Sequence, residues 1–118
     1  MPIKTITIMA DFGNGPYAWL KDASDESRWV GGNVADAVSG FGEEYGVPAE
    51  LEKQFADWVM RFECEYNNPS FDWNAFHREG MTLCQHLKRV LGEAYRVVYV
   101  KPHEDPNYRT NRRTEIFL

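Results

Sequence analysis

The residues best suited to proton chemistry stand together in "PHEDPN", residues 102–107, where His103, Glu104 and Asp105 follow one another. A histidine beside two carboxylates is the material of general acid/base catalysis, and loops commonly carry catalytic groups. Such catalysis needs the groups to converge on one substrate, which adjacency in sequence does not supply. The competing reading is a solvated turn in which Asp105, standing before Pro106, bonds its own backbone. Arg109 and Arg112 follow closely and would hold an anionic group if the loop lined a pocket. His103, Glu104 and Asp105 are therefore the candidates for a catalytic role.

A second set, His77, Cys84 and His86, contains the side chains that bind zinc. On a helix, seven residues bring Cys84 back under His77 about 10 Å away, while His86 sits roughly 200° round from Cys84. One ion cannot hold all three, so no metal is expected, and no cofactor motif appears. The expected arrangement is a buried cysteine with two histidines at the surface or boundary. Cys64 and Cys84 form no CxxC pair and are expected as free thiols rather than a disulfide. No serine stands in a GxSxG elbow, so nucleophilic catalysis has no support.

"DFGNGP", residues 11–16, raises the question of phosphate binding. It lacks the GxxxxGK[ST] or GxGxxG spacing and leads into a strand, so no helix N-terminus is available to receive an anion. Gly13, Asn14, Gly15 and Pro16 suit a hairpin turn instead.

The elements that must position these groups follow from periodicity. "KTITIMA" alternates as a strand, "YAWLK" at 17–21 returns as a second, and "RWV" at 28–30 reads as a short third. In the second strand Tyr17 and Trp19 share one face, the side expected to be free of helices, and Ala18 and Leu20 the other. "GGN" reads as a break after which Asn33 caps a brief helix reaching Ser39. Pro48 then opens a helix over 49–66 whose inner stripe is Leu51, Phe55, Trp58, Val59 and Phe62.

Asp72 caps a second long helix reaching Glu93, with Phe76, Leu83, Leu87, Val90 and Leu91 inward. Gly80 costs that helix about 1 kcal/mol relative to alanine, a loss that close packing against the first helix would explain. "YRVVYV" at 95–100 and "TEIFL" at 114–118 complete the strands. One α+β domain over residues 1–118 is expected: a mainly antiparallel sheet of about five strands, three N-terminal and two C-terminal, with both long helices on one face.

Charge is segregated within the total of −5. Between Asp36 and Glu65 eight acidic residues meet two basic ones, a local −6, while five basic residues meet three acidic ones from Tyr95 to the end. The acidic middle argues against nucleic acid as a partner, because phosphate contact needs a cationic footprint. No apolar run approaches the roughly 20 residues needed to span a bilayer, and the first residues lack a signal-peptide pattern, so a cytoplasmic protein without membrane contact is expected. Aromatic residues outside the helix stripes, among them Tyr17, Trp19, Trp29, Tyr45, Tyr66 and Tyr108, are of the kind that anchors protein interfaces. The expected partner-binding set is Glu43, Glu44, Glu50, Glu52 and Asp57 for charge, with Tyr45, Tyr17 and Trp19 as anchors.

"ADFGNGPYAWLKD", "RWVGGN" and "VVYVKPHEDPNY" resemble, in style, the small acidic bacterial proteins that serve as immunity proteins of polymorphic toxin systems. The resemblance implies a cytoplasmic, non-enzymatic inhibitor that covers a toxin's active site, often that of a nuclease with a basic cleft. It transfers no functional residues. Two rival expectations stand beside it. One is a small enzyme or ligand-binding domain using the loop of His103, Glu104 and Asp105; the other is a homodimer pairing through the C-terminal strand.

Overall fold

The structure is a computed structural model that describes residues 4–21, 32–107, 109–110 and 113–117. Its strands are β1 (Lys4–Ile8), β2 (Ala18–Lys21), β3 (Gly32–Ala35), β4 (Tyr95–Val100) and β5 (Arg113–Ile116), and its long helices are α1 (Ala49–Glu65) and α2 (Trp73–Leu91). The sheet order is β3-β2-β1-β4-β5. The α+β class and the division into three N-terminal and two C-terminal strands follow the sequence expectation. The sheet is mixed, however: β1 and β4 run parallel at its centre, and the other three pairings are antiparallel. A parallel neighbour requires a crossover, and the segment containing both helices supplies it.

The "DFGNGP" segment is a turn, as its residues indicate. Gly13, Asn14 and Gly15 all take positive φ, and Met9 N donates to Tyr17 O while Asp11 N donates to Pro16 O. The Gly13 amide already donates to Glu63 Oε1 of α1, so a carboxylate of this same chain holds the donor that a phosphate would need. Phe12 fixes the loop from outside, lying against Phe62 and edge-on to Tyr66.

One expectation about the next segment changes and another falls on residues that are not described. The strand expected at 28–30 lies outside the described residues, as do Trp29, Tyr108 and Arg112. Asn33 caps no helix: it lies within β3, where its side-chain amide donates to Ala18 O and Ala35 O. The turn after β3 is closed instead by Asp36, whose Oδ1 accepts from Val38 N and Ser39 N. Pairing with β2 satisfies the backbone that a helix would otherwise have had to satisfy.

The helices bury the stripes that their periodicity marks. Leu51, Phe55, Trp58, Val59 and Phe62 of α1, and Phe76, Gly80, Leu83, Cys84 and Leu87 of α2, pack on Ile6, Ile8, Ala18, Val97, Tyr99 and Ile116. Val90 departs from the expected inner stripe and is left 39% exposed. Asp72 caps α2 through Oδ1, which accepts from Ala75 N. On the other sheet face Met9, Val98 and Val100 form a small second cluster with Trp19 against it. Among the described residues no helix is long and apolar enough to cross a membrane.

The alternation expected around β2 holds for Trp19 and fails for Tyr17. Tyr17 is fully buried on the helix side, stacked on Phe55 at 5.0 Å. It precedes β2, and the β2–β3 register shifts between Ala18 and Trp19, so strict alternation does not extend back to it.

Gly80 has the packing reason its position suggests. A Cβ there would stand 2.6 Å from the Tyr99 ring and 2.7 Å from the Trp58 ring. Overpacking of this kind costs about 1–3 kcal/mol, which exceeds the helix propensity gained. Gly80→Ala is therefore expected to lower the stability measured by denaturant unfolding by about 1–2 kcal/mol, although the same change in an open helix would raise it.

Candidate functional site

The most developed side-chain constellation joins three elements. His77 on α2 lies 2.6 Å by its Nδ1 from the Tyr99 hydroxyl of β4, and 2.6 Å by its Nε2 from Asp105 Oδ2 in the loop that follows β4. A carboxylate accepts and does not donate, so Nε2 carries the hydrogen and Nδ1 accepts from the Tyr99 O–H. The other Asp105 oxygen accepts from Asn107 N, and Asp105 N donates to Pro102 O, which folds the loop round the carboxylate. Trp73 stacks on the imidazole and Phe76 meets it edge-on.

Acid, imidazole and hydroxyl stand in the order of a hydrolytic triad, but the hydroxyl is a phenol that is 2% exposed. Burial pushes the Tyr99 phenol well above its ordinary value, with the Cys84 thiol and Asp105 adding to the shift. Burial likewise lowers His77 from its usual 6.5, against the opposing pull of the Asp105 hydrogen bond and charge; Lys101 lowers it further. Three surface cavities, of about 350, 210 and 280 Å³, are lined by other residues. With its hydroxyl sealed in, the network's chemistry is positional: it ties the 101–107 loop and β4 to α2.

In the expected His103–Glu104–Asp105 set, Asp105 turns inward and is 2% exposed, whereas His103 is exposed and Glu104 half-buried. The second expected set separates. Cys84 is fully buried, its thiol pushed up by burial, His86 is exposed, and His77 is held as above. Both cysteines are free. Among the described residues no group of three or more His, Cys, Asp and Glu side chains is placed to hold a metal ion.

His77 and Tyr99 are the residues that sequence reasoning missed as a pair. The signal was present: His77, Gly80, Cys84 and Leu87 recur at spacings of three, four and three, one inward stripe. Tyr99 shares its strand face with Val97, and a buried phenol must find a partner.

The expected partner-binding residues divide. Glu43, Glu44, Glu50 and Asp57 are exposed, whereas Tyr45 is half-buried, edge-on to Phe41 and to Tyr95 at the start of β4. Glu52 is committed within the fold: its Oε1 accepts from Gly42 N at 2.6 Å, and its side chain fills the space beside Gly40. Tyr17 is buried, and Trp19 lies on the opposite sheet face with its indole N–H donating to Met9 O.

The 350 Å³ groove opens with Glu50 in its wall. It runs between the start of α1 and the end of α2 and is lined by Pro48, Glu50, Leu51, Gln54, His86, Arg89 and Val90. Tyr45 reaches Tyr95 at this same end, and Lys88 Nζ donates to Gly92 O and Tyr95 O, fixing the exit of α2. Compared with family models, with curated proteins and with solved structures, the chain gives no match.

The sign of the His77 shift fixes a pH dependence. A depressed pKa means that the folded state binds fewer protons than the unfolded chain, so stability rises with pH and levels off above 6.5. Unfolding free energies measured between pH 7.5 and pH 5 are expected to fall as the solution is acidified below that value. In His77→Gln, which keeps a donor towards Asp105 but cannot titrate, the decline should be visibly shallower.

Proposed function

We propose that this chain is a non-enzymatic protein-binding module that meets a basic partner protein at the groove end, in the manner of an immunity protein covering a toxin. The observation that carries the reading is exposed Glu50 in the wall of a groove whose apolar surface comes from Pro48, Leu51 and Val90, with exposed Glu43 and Glu44 a few residues before it in the chain. The carboxylates steer a cationic surface and raise the association rate. The groove accepts an apolar side chain that slows departure, the part of binding that buried anchors govern.

Asp57, two turns along the outer face of α1 from Glu50, extends the field, while Arg61 is neutralised by its paired bonds to Glu79 of α2. Tyr45 flanks the acidic residues as an amphipathic contact, and Arg89 and His86 on the far wall of the groove set the register of a partner's carboxylate. Trp19, on the opposite sheet face, takes no part. Free thiols suit a reducing bacterial cytoplasm, where such an inhibitor would act.

An enzyme built on His103, Glu104 and Asp105 has less support, because Asp105 is spent on His77 inside the fold.

The test begins with affinity capture of the partner from the source cell and continues with binding kinetics. Reversing Glu43, Glu44 and Glu50 to lysine is expected to slow association by roughly tenfold or more at low salt, with the difference shrinking as salt screens the charges. Val90→Asp should chiefly speed dissociation. A captured partner whose rates are unchanged in both variants overturns the reading.

A further inference from the structure

At one edge of the sheet lies β5, joined to β4 on one side; among the described residues no strand pairs with its other side. Its register places Ile116 opposite Val97 and Thr114 opposite Tyr99, both on the helix side, while Arg113 opposite Val100 and Glu115 opposite Val98 stand on the other face. An unpaired edge of backbone donors and acceptors is a template for another strand, and monomeric sheets blunt it with charge, proline or cover. The charges on this edge are of opposite sign and two residues apart, which favours a second copy instead of repelling it.

We propose that β5 pairs antiparallel with β5 of a second copy of this chain about a twofold axis through Thr114. Each Arg113 then lies opposite Glu115 of the other copy, in two equivalent pairs as an isologous contact demands. The register is constrained from two sides. Helix-side residues must meet helix-side residues, because a slip of one would drive Ile116 across the sheet. A slip of one residue in the twofold's position, to Glu115, would bring two carboxylates face to face.

Two further observations agree. Phe117, directly after β5, is 75% exposed, apolar surface next to this edge that a second copy would cover. The acidic stretch from Asp36 to Glu65 lies elsewhere: α1 is inside it, and α2 is the helix that packs against β5. Two copies, each of charge −5, thus approach by the segment in which bases outnumber acids. The inference is independent of the proposed partner surface.

Sedimentation equilibrium of the intact chain up to the millimolar range should reveal a species of twice 13.7 kDa. Arg113→Glu places only carboxylates at the paired positions, and Glu115→Lys only cations, so each variant alone should dimerise roughly tenfold or more weakly. Mixed one to one, the two variants should restore the dimer, because every pair is again of opposite sign. Glu115 also bonds Arg96 of β4, so circular dichroism must first show each variant folded; recovery on mixing reads the register whatever stability that substitution removes. A monomer at every concentration overturns the proposal. So does a dimer that neither variant weakens, or weakened variants that mixing fails to rescue.

Discussion

Where α2 crosses the sheet, the space that a side chain at Gly80 would occupy is filled by two rings, Trp58 from α1 and Tyr99 from β4. The missing Cβ lets all three layers touch at one point, and much of the architecture is measured from it. Trp58 stacks on Phe76 at 4.6 Å and donates its indole N–H to the Phe76 carbonyl, which fixes α1 against α2. Three residues before Gly80, on the same side of the helix, His77 is thereby held over the Tyr99 hydroxyl. Asp105 completes the contact and brings the loop after β4 with it. At its other end α2 delivers His86, Arg89 and Val90 to the wall of the groove.

The molecule thus has a closed end and an open end, and burial decides which polar groups belong to which. At the closed end the polar atoms of His77, Tyr99 and Asp105 satisfy one another away from water, where an unpaired group would cost about 1–3 kcal/mol. A fully satisfied network of this kind fixes position, and its phenol is held protonated by desolvation. At the open end the Glu50 carboxylate remains in water beside the apolar surface of the groove, and Glu43 and Glu44 are exposed in the segment before α1. Charged side chains in that setting act at a distance, through the field they project.

Much of the fold was legible because its signals are local and periodic. The stripes of α1 and α2, the Asp72 cap, the glycine turn after β1 and the packing demand at Gly80 all follow from spacing and backbone chemistry. What escaped depends on pairing between distant segments. The central parallel pair of β1 and β4 leaves no mark of its own in the sequence, since β1 alternates Ile with Thr as an antiparallel strand does and only β4 is apolar on both faces. Asn33 carries a helix cap's chemistry and is recruited by β2 instead, and the shifted register beside Ala18 sends Tyr17 inward against the strand's period. The candidate site was half legible. His77 and Asp105 were each singled out, but in different groups, because 28 residues and an intervening strand separate partners that only the α2–β4 contact brings together.

The proposed groove surface and the proposed β5 edge are linked by symmetry. A twofold axis perpendicular to the sheet at Thr114 would keep the helices of both copies on the same side while turning the two groove ends in opposite directions along the sheet. A partner presenting two basic sites, or itself dimeric, would reach both only by spanning the joined sheet, its second contact forming at an effective concentration set by that span. The proposed arrangement would also account for the segregation of charge along the chain. Were the acidic residues of the α1 segment spread onto β5, the edge would repel its copy. Were the bases of the tail moved to the groove end, the field that draws in a cationic surface would cancel. On the proposed reading, acid at the start of α1 and alternating charge on β5 would let one small chain attract a basic protein at one place and its own copy at another.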